Sequence, residues 1–225
     1  MNDKKMVAVI LFGRPGAGKS WLSEALLKLY PFIALVRTSS LLKEYIQTAG
    51  DKGKTIQEMM DQGEIISDEL VSKLLESRLE ELRISGEHSH VLIDGFPRTV
   101  PQVDSLQRMP NLKAEIFHIN LPPELCLRRI RKSPNRNVRV EDKKPRIIKH
   151  RLDLFETITM PVLAHWTESH GKFIHQIDGR LEVKQKIGLL ASRLRFPKVQ
   201  QTILRPRRES EIWTLPHERP ERIHA

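Results

Sequence analysis

The stretch Gly13-Arg14-Pro15-Gly16-Ala17-Gly18-Lys19-Ser20 constrains this chain more than any other, because every defining position of the pattern G-x-x-x-x-G-K-[ST] is filled. An apolar run from Val7 to Phe12 precedes it, and a helical pattern with Leu22, Leu26 and Leu29 on one face follows it. A buried strand, a glycine-rich turn and then a helix is the arrangement that cradles phosphate. Gly13, Gly16 and Gly18 let successive backbone N–H groups converge on phosphate oxygens, and Pro15 and Ala17 complete the loop without obstructing them. The helix N-terminus adds a partial positive charge. Lys19 is then in reach of the β- and γ-phosphates of a nucleoside triphosphate, and the Ser20 hydroxyl in reach of Mg²⁺.

Around this motif short β-rich runs alternate with longer helical patterns, which predicts an α/β chain with a parallel sheet. Strands are expected at Val7–Phe12, Phe32–Val36, His90–Ile93, Ala114–Asn120 and Phe173–Ile177. Helices are expected over Lys19–Leu29, then from a Ser39 or Ser40 cap through Leu41, Leu42, Tyr45 and Ile46. Two more, Thr55–Met60 and Asp68–Leu82, flank a turn at Gly63. Pro122-Pro123 opens another at a position proline tolerates. A long helix runs from Pro145 towards His170, broken near Pro161, and a last one spans Leu181–Leu194. Ser133–Arg139 reads as a loop. Past Pro197 the prolines at 206, 216 and 220 and the lack of any period predict a flexible tail, so the chain divides into a domain over 1–196 and a tail over 197–225.

Directly after Val91-Leu92-Ile93 comes Asp94-Gly95-Phe96-Pro97-Arg98-Thr99. A carboxylate at the C-terminal end of a strand beside a phosphate loop is placed to anchor the water shell of Mg²⁺. An arginine on the following loop can grip a phosphate with two parallel hydrogen bonds. This run closely resembles the signature of adenylate kinases and their nucleoside monophosphate kinase relatives, and the similarity extends from about Val7 to Leu190. The resemblance implies the P-loop NTPase fold, with a central five-stranded parallel sheet flanked by helices. It also implies an NMP-binding segment over 38–67 and a short lid over 132–140. The implied reaction is transfer of the γ-phosphoryl group of Mg-ATP to AMP, giving two ADP.

Further roles follow from the same resemblance. Thr38, Lys43, Met60, Ile65, Ile66, Gly95, Arg98 and Gln102 fall at acceptor-binding positions, Gln102 at the one that reads the edge of adenine. Thr99 and Gln102 together favour AMP. Lys43 stands where an arginine holds the acceptor α-phosphate, and Ser39-Ser40 replaces Gly-Asp; lysine keeps the charge and loses the fork. Arg129 matches the arginine lying against the ATP base. Arg139, in Arg139-Val140-Glu141-Asp142, resembles the lid arginine, and Arg151 the one that reaches the transferring phosphoryl group. The catalytic set so implied is Lys19, Arg98, Arg139 and Arg151. Ser133 falls where another phosphate-binding arginine is expected, with Arg131 or Arg136 as substitutes. The lid has no room for a zinc ribbon, so the only metal expected is Mg²⁺, held through Ser20 and, through water, Asp94.

Charge agrees with this reading. The net charge is +10, and eleven of the basic residues lie between Arg128 and Arg151, opposed there only by Glu141 and Asp142. Phosphoryl transfer gathers several negative charges and needs positioning and cations more than an acid or base. The basic run lacks interleaved aromatics, so nucleic acid is not expected as a partner. With a single cysteine, Cys126, no disulfide framework is possible, and no apolar run is long enough for a membrane span. Cys126 reads as a small buried hydrophobe, and Trp21, Trp166 and Tyr45 as core or partly exposed packing residues. A cytoplasmic monomer binding ATP and AMP is expected. The departures at Lys43, Ser39-Ser40 and Ser133 leave two alternatives open: a kinase for another acceptor such as CMP or UMP, and a catalytically weakened regulatory relative.

Overall fold

The computed structural model describes residues 5–132, 144–170 and 174–197. The lid expectation beyond Lys132, including Ser133, Arg136 and Arg139, and the tail beyond Pro197 lie outside those residues.

Five strands, β1 (Met6–Phe12), β2 (Ile33–Arg37), β3 (His90–Asp94), β4 (Leu112–Asn120) and β5 (Ile174–Asp178), form one sheet in the order β2-β3-β1-β4-β5. All four pairings are parallel, as expected where helices return the chain across each face. Alternation along β1 divides the core. Ala8, Ile10 and Phe12 join one cluster with Val91, Ile93, Ile116, Leu75, Val103 and Trp166. Val9 and Leu11 join the other with Leu92, Phe117, Ile119, Leu22, Leu26 and Leu190. Ile10 and Leu22 are fully enclosed, and burying such a side chain contributes about 1.5–3 kcal/mol.

Helices fill both faces: α1 (Lys19–Leu29), α2 (Thr38–Thr48), α3 (Asp51–Gln62), α4 (Asp68–Ser85), α5 (Val100–Arg108), α6 (Pro123–Lys132), α7 (Pro145–Leu154), α8 (Pro161–His170) and α9 (Val183–Arg193). Two differ most from the expectation. Helix α2 starts at Thr38 without any serine cap; its N-cap is Arg37, which makes no side-chain cap bond. Strand β2 therefore runs straight into α2, and Ser39 and Ser40 sit exposed in its first turn. Helix α5 has no counterpart in the expectation, although its start carries local signals. Thr99 is its N-cap, its hydroxyl accepting from Gln102 N, and Pro101 lies in its first turn.

The break near Pro161 is a π-helical segment, Phe155–Thr159, in which Met160 N donates to Phe155 O at 2.7 Å. Pro161 has no N–H and its ring clashes with the carbonyl four residues earlier, so widening the turn ahead of it lets α7 run on into α8. Trp166 on α8 is 1% exposed and Cys126 is fully buried, both packing residues as expected, whereas Trp21 is 45% exposed.

Candidate active site

The sheet's order places the β1–α1 loop between the C-terminal ends of β3 and β4, where the strand order reverses and a parallel sheet leaves a crevice for ligand. Gly16 shows why this loop must be glycine-rich. Its φ is +83°, and a Cβ there would stand 2.5 Å from the Cys126 carbonyl oxygen on α6. Any side chain would force loop and helix apart.

Lys19 folds back over the loop, its Nζ donating to Gly13 O at 2.6 Å and to Arg14 O at 3.0 Å. Burial pushes its ammonium down from 10.5 to about 8; Asp94 opposes the shift, while the charges of Arg98 and Arg151 add to it. Lys19, Arg98 and Arg151, from three separate segments, therefore share one electrostatic environment. Arg129 joins them from α6: its Nη1 donates to Ala17 O at 3.3 Å and its Nη2 to Gly179 O at 3.0 Å, spanning the phosphate loop and the β5–α9 turn. Lys186, 5% exposed on α9, donates to the same Gly179 oxygen at 2.8 Å, and burial lowers its ammonium to about 8. Nothing in the local sequence marks Lys186, since only the turn brings it under Arg129.

The Ser20 hydroxyl donates to Asp94 Oδ2 at 3.2 Å. A hydroxyl and a carboxylate this close, at the entrance to a phosphate loop, fit a hydrated Mg²⁺ held mainly by nucleotide phosphates and water. The described residues contain no group of three or more His, Cys, Asp or Glu able to enclose a metal.

Among the expected acceptor residues, Thr38, 4% exposed, donates to Gly95 O at 3.2 Å. Arg98, exposed on its loop, donates through Nε to Gly95 O at 3.0 Å. Gln102 is 1% exposed, and its amide is engaged at both ends. Its Oε1 accepts from Arg98 N at 2.7 Å, and its Nε2 donates to Asp68 Oδ1 at 2.8 Å. Thr99 Oγ1 donates to the same carboxylate oxygen at 2.7 Å. Asp68 is thus the hub beneath this loop, a role invisible in sequence because it lies 34 residues from Gln102. These two bonds leave one hydrogen and one lone pair of the Gln102 amide unused.

Met60 and Ile65 are half-buried, Ile66 belongs to the core, and Lys43 is exposed on α2. The segment at Gly63 and Glu64 meets α7 directly. Glu64 Oε1 and His150 Nε2 are 2.9 Å apart, and the aliphatic stem of Arg151 lies against Gly63. Beside the cradle, a cleft of about 730 Å³ at the ends of β4 and β5 is lined by residues that include Arg14, His118, Asn120 and Asp178. Arg14 turns from the phosphate loop into this cleft, donating to Leu121 O at 3.2 Å and to both carboxylate oxygens of Glu156.

A parallel five-stranded sheet with a phosphate loop at its switch point, ringed by cations from several helices, defines a phosphate-loop phosphotransferase. Comparison with known proteins narrows the class. The family profile for adenylate kinase matches residues 11–171. Proteins named adenylate kinase from Phocaeicola vulgatus and Bacteroides fragilis are 30% and 32% identical over 174 residues, 76% of this chain and 89% of each relative. Another from a Caulobacter strain is 30% identical over 190 residues, 83% of this chain and 97% of its own length. The chain belongs to the adenylate kinase family and is a phosphotransferase of the nucleoside monophosphate kinase type. No helix among the described residues is long and apolar enough to cross a membrane.

Proposed function

We propose that this enzyme transfers the γ-phosphoryl group of Mg-ATP to AMP, forming two ADP. The observation that carries this reading is that the charges of Arg98 and Arg151 both act on Lys19 of the glycine-rich loop, with the segment at Gly63 packed against α7. In this reading the amides of residues 13–20 and Lys19 hold the donor phosphates, and Arg129 lies along the donor base. Thr38, Lys43, Gly95 and Arg98 hold the acceptor, Met60, Ile65 and Ile66 line its base, and Gln102 offers that base its remaining hydrogen and lone pair. Ser20 and, through water, Asp94 would hold Mg²⁺, which would supply charge neutralisation to the phosphate oxygens.

The chain's own contribution is positioning. Lys19 carries its proton as an ammonium and shifts from the carbonyls of Gly13 and Arg14 to phosphate oxygens, whose charge raises its affinity for that proton again. Arg98 and Arg151 approach the transferring group from two sides and stabilise charge as it redistributes over the equatorial oxygens.

A second reading, an acceptor other than AMP, draws on the engagement of Gln102 by Asp68 and Arg98 N and on the lysine at position 43. One experiment separates the two: ATP is held fixed while AMP, CMP and UMP are supplied in turn, and nucleoside diphosphates are read by phosphorus NMR. AMP should give the highest kcat/KM. A higher value for CMP or UMP establishes the second reading, and turnover with none of the three refutes both.

A further inference from the structure

Arg37 puts a cation where neither the phosphate loop nor the expected acceptor set calls for one. It ends β2, in register with Asp94 at the end of β3. Along β2, Ile33 and Leu35 pack into the core cluster that contains α1, and strand alternation points Arg37 to that same face. Its Nε lies 3.9 Å from Asp94 Oδ2, the oxygen that accepts from Ser20 at 3.2 Å. Its Nη2 donates to Glu24 Oε1 at 3.4 Å. Glu24 is one helical turn beyond Ser20 on α1, so a single guanidinium spans the metal-anchoring carboxylate and a second carboxylate just outside it. Side-chain exposure grades outward along this line, from 12% at Asp94 through 30% at Arg37 to 48% at Glu24.

We propose that Arg37 is a positioning residue that sets the metal requirement of this enzyme, acting as the resident counter-ion of Asp94 that gives up its approach to Asp94 and is held by Glu24 alone when a hydrated divalent cation arrives. The inference rests on the reading of Ser20 and Asp94 as the metal-binding pair. Asp94 cannot serve a guanidinium and a hydrated dication at close range at full strength, because the two cations repel each other through the same partly desolvated space. Metal binding is then an exchange of cations at Asp94, and its affinity is reduced by the strength of the Arg37–Asp94 contact. Glu24 works in the opposite direction, since it stabilises Arg37 in the displaced position. Removing Arg37 should tighten metal binding, and removing the charge of Glu24 should weaken it. A purely structural role for the trio would move both variants the same way.

The test is a Mn²⁺ titration of the full-length protein, saturated with a non-hydrolysable ATP analogue, with free Mn²⁺ read by electron paramagnetic resonance. Analogue affinity in EDTA and thermal midpoints serve as controls for folding. Arg37→Gln is expected to lower the Mn²⁺ dissociation constant roughly three- to fivefold, the scale of a partly exposed ion pair, and Glu24→Gln to raise it by a similar factor. Shifts of the same sign in both variants, or both within twofold of wild type, overturn the proposal. Ser20→Ala tests the parent reading separately. If that variant binds Mn²⁺ as tightly as wild type, the metal sits elsewhere and both readings fall. If it binds more weakly while Arg37→Gln and Glu24→Gln stay at the wild-type value, only the role of Arg37 falls.

Discussion

Lys19→Met should abolish turnover and yet leave the free enzyme at least as stable as wild type near neutral pH. The reason lies in the cost of holding an ammonium buried in the phosphate loop. Burial lowers Lys19 from 10.5 to about 8, and at about 1.4 kcal/mol per pH unit that gap corresponds to roughly 3 kcal/mol of destabilisation. Lys19 still meets some solvent, which reduces the figure to about 2 kcal/mol. Methionine matches the length of the side chain without the charge. It forfeits hydrogen bonds to two carbonyls, Gly13 O and Arg14 O, each worth about 1 kcal/mol or less where water can replace the donor. The balance at pH 7 is zero to about 2 kcal/mol in favour of the variant.

The sign of the pH dependence follows from proton binding. Between about 8 and 10.5 the unfolded chain holds the Lys19 proton and the folded one has released it, so wild-type stability rises with pH across that window. The advantage of Lys19→Met is therefore full below pH 8 and gone above about 10.5. Urea unfolding at pH 7 and pH 9.5, with a coupled ATP/AMP assay at pH 7, makes the measurement. A variant less stable than wild type by more than about 1 kcal/mol at pH 7, or a difference unchanged between the two pH values, would refute the argument. Turnover should fall at least 10²-fold, on the scale of losing one well-placed cation.

Arg98→Ala and Arg151→Ala should each lower kcat in the same assay by about 10²-fold or more, and near-normal turnover in either removes that residue from the catalytic set. Lys43→Arg should preserve or lower the KM for AMP; a clear rise would show that residue 43 does not face the acceptor phosphate. Asp68→Ala breaks the bonds that hold Thr99 and Gln102, and the KM for the acceptor should rise more than that for ATP, as steady-state kinetics would report. Gly16→Ala meets the Cys126 carbonyl at 2.5 Å, so ADP binding by calorimetry should weaken by an order of magnitude or more.

Much of the fold is legible along the chain because its signals are local. The helix at Lys19–Leu29 was expected with the boundaries that the structure has, since a phosphate loop sets its start and apolar spacing its face. Strands β1, β3 and β4 differ from expectation by one or two residues at an end, within the range that fraying produces. The capping expected at Ser39 or Ser40 failed for a reason that lies outside the segment. The register of β2 against β3 brings Arg37 level with Asp94 and lets Thr38 bond across to Gly95 O, so the helix begins directly at the strand's end. Helix α5 gives a weak signal in the sequence because its apolar positions are few.

What residue order could supply was the inventory of charge and the backbone turn that receives phosphate, because both depend on neighbours a few positions apart. Which cations share a space depended on the crossovers of the sheet. Arg98 and Arg151 press on Lys19, Asp68 holds Gln102 and Arg37 confronts Asp94 only because parallel strands bring the ends of distant segments to one edge. Coulomb and hydrogen-bond forces act over a few ångströms of space, and separation along the chain says nothing of that distance until the sheet has formed.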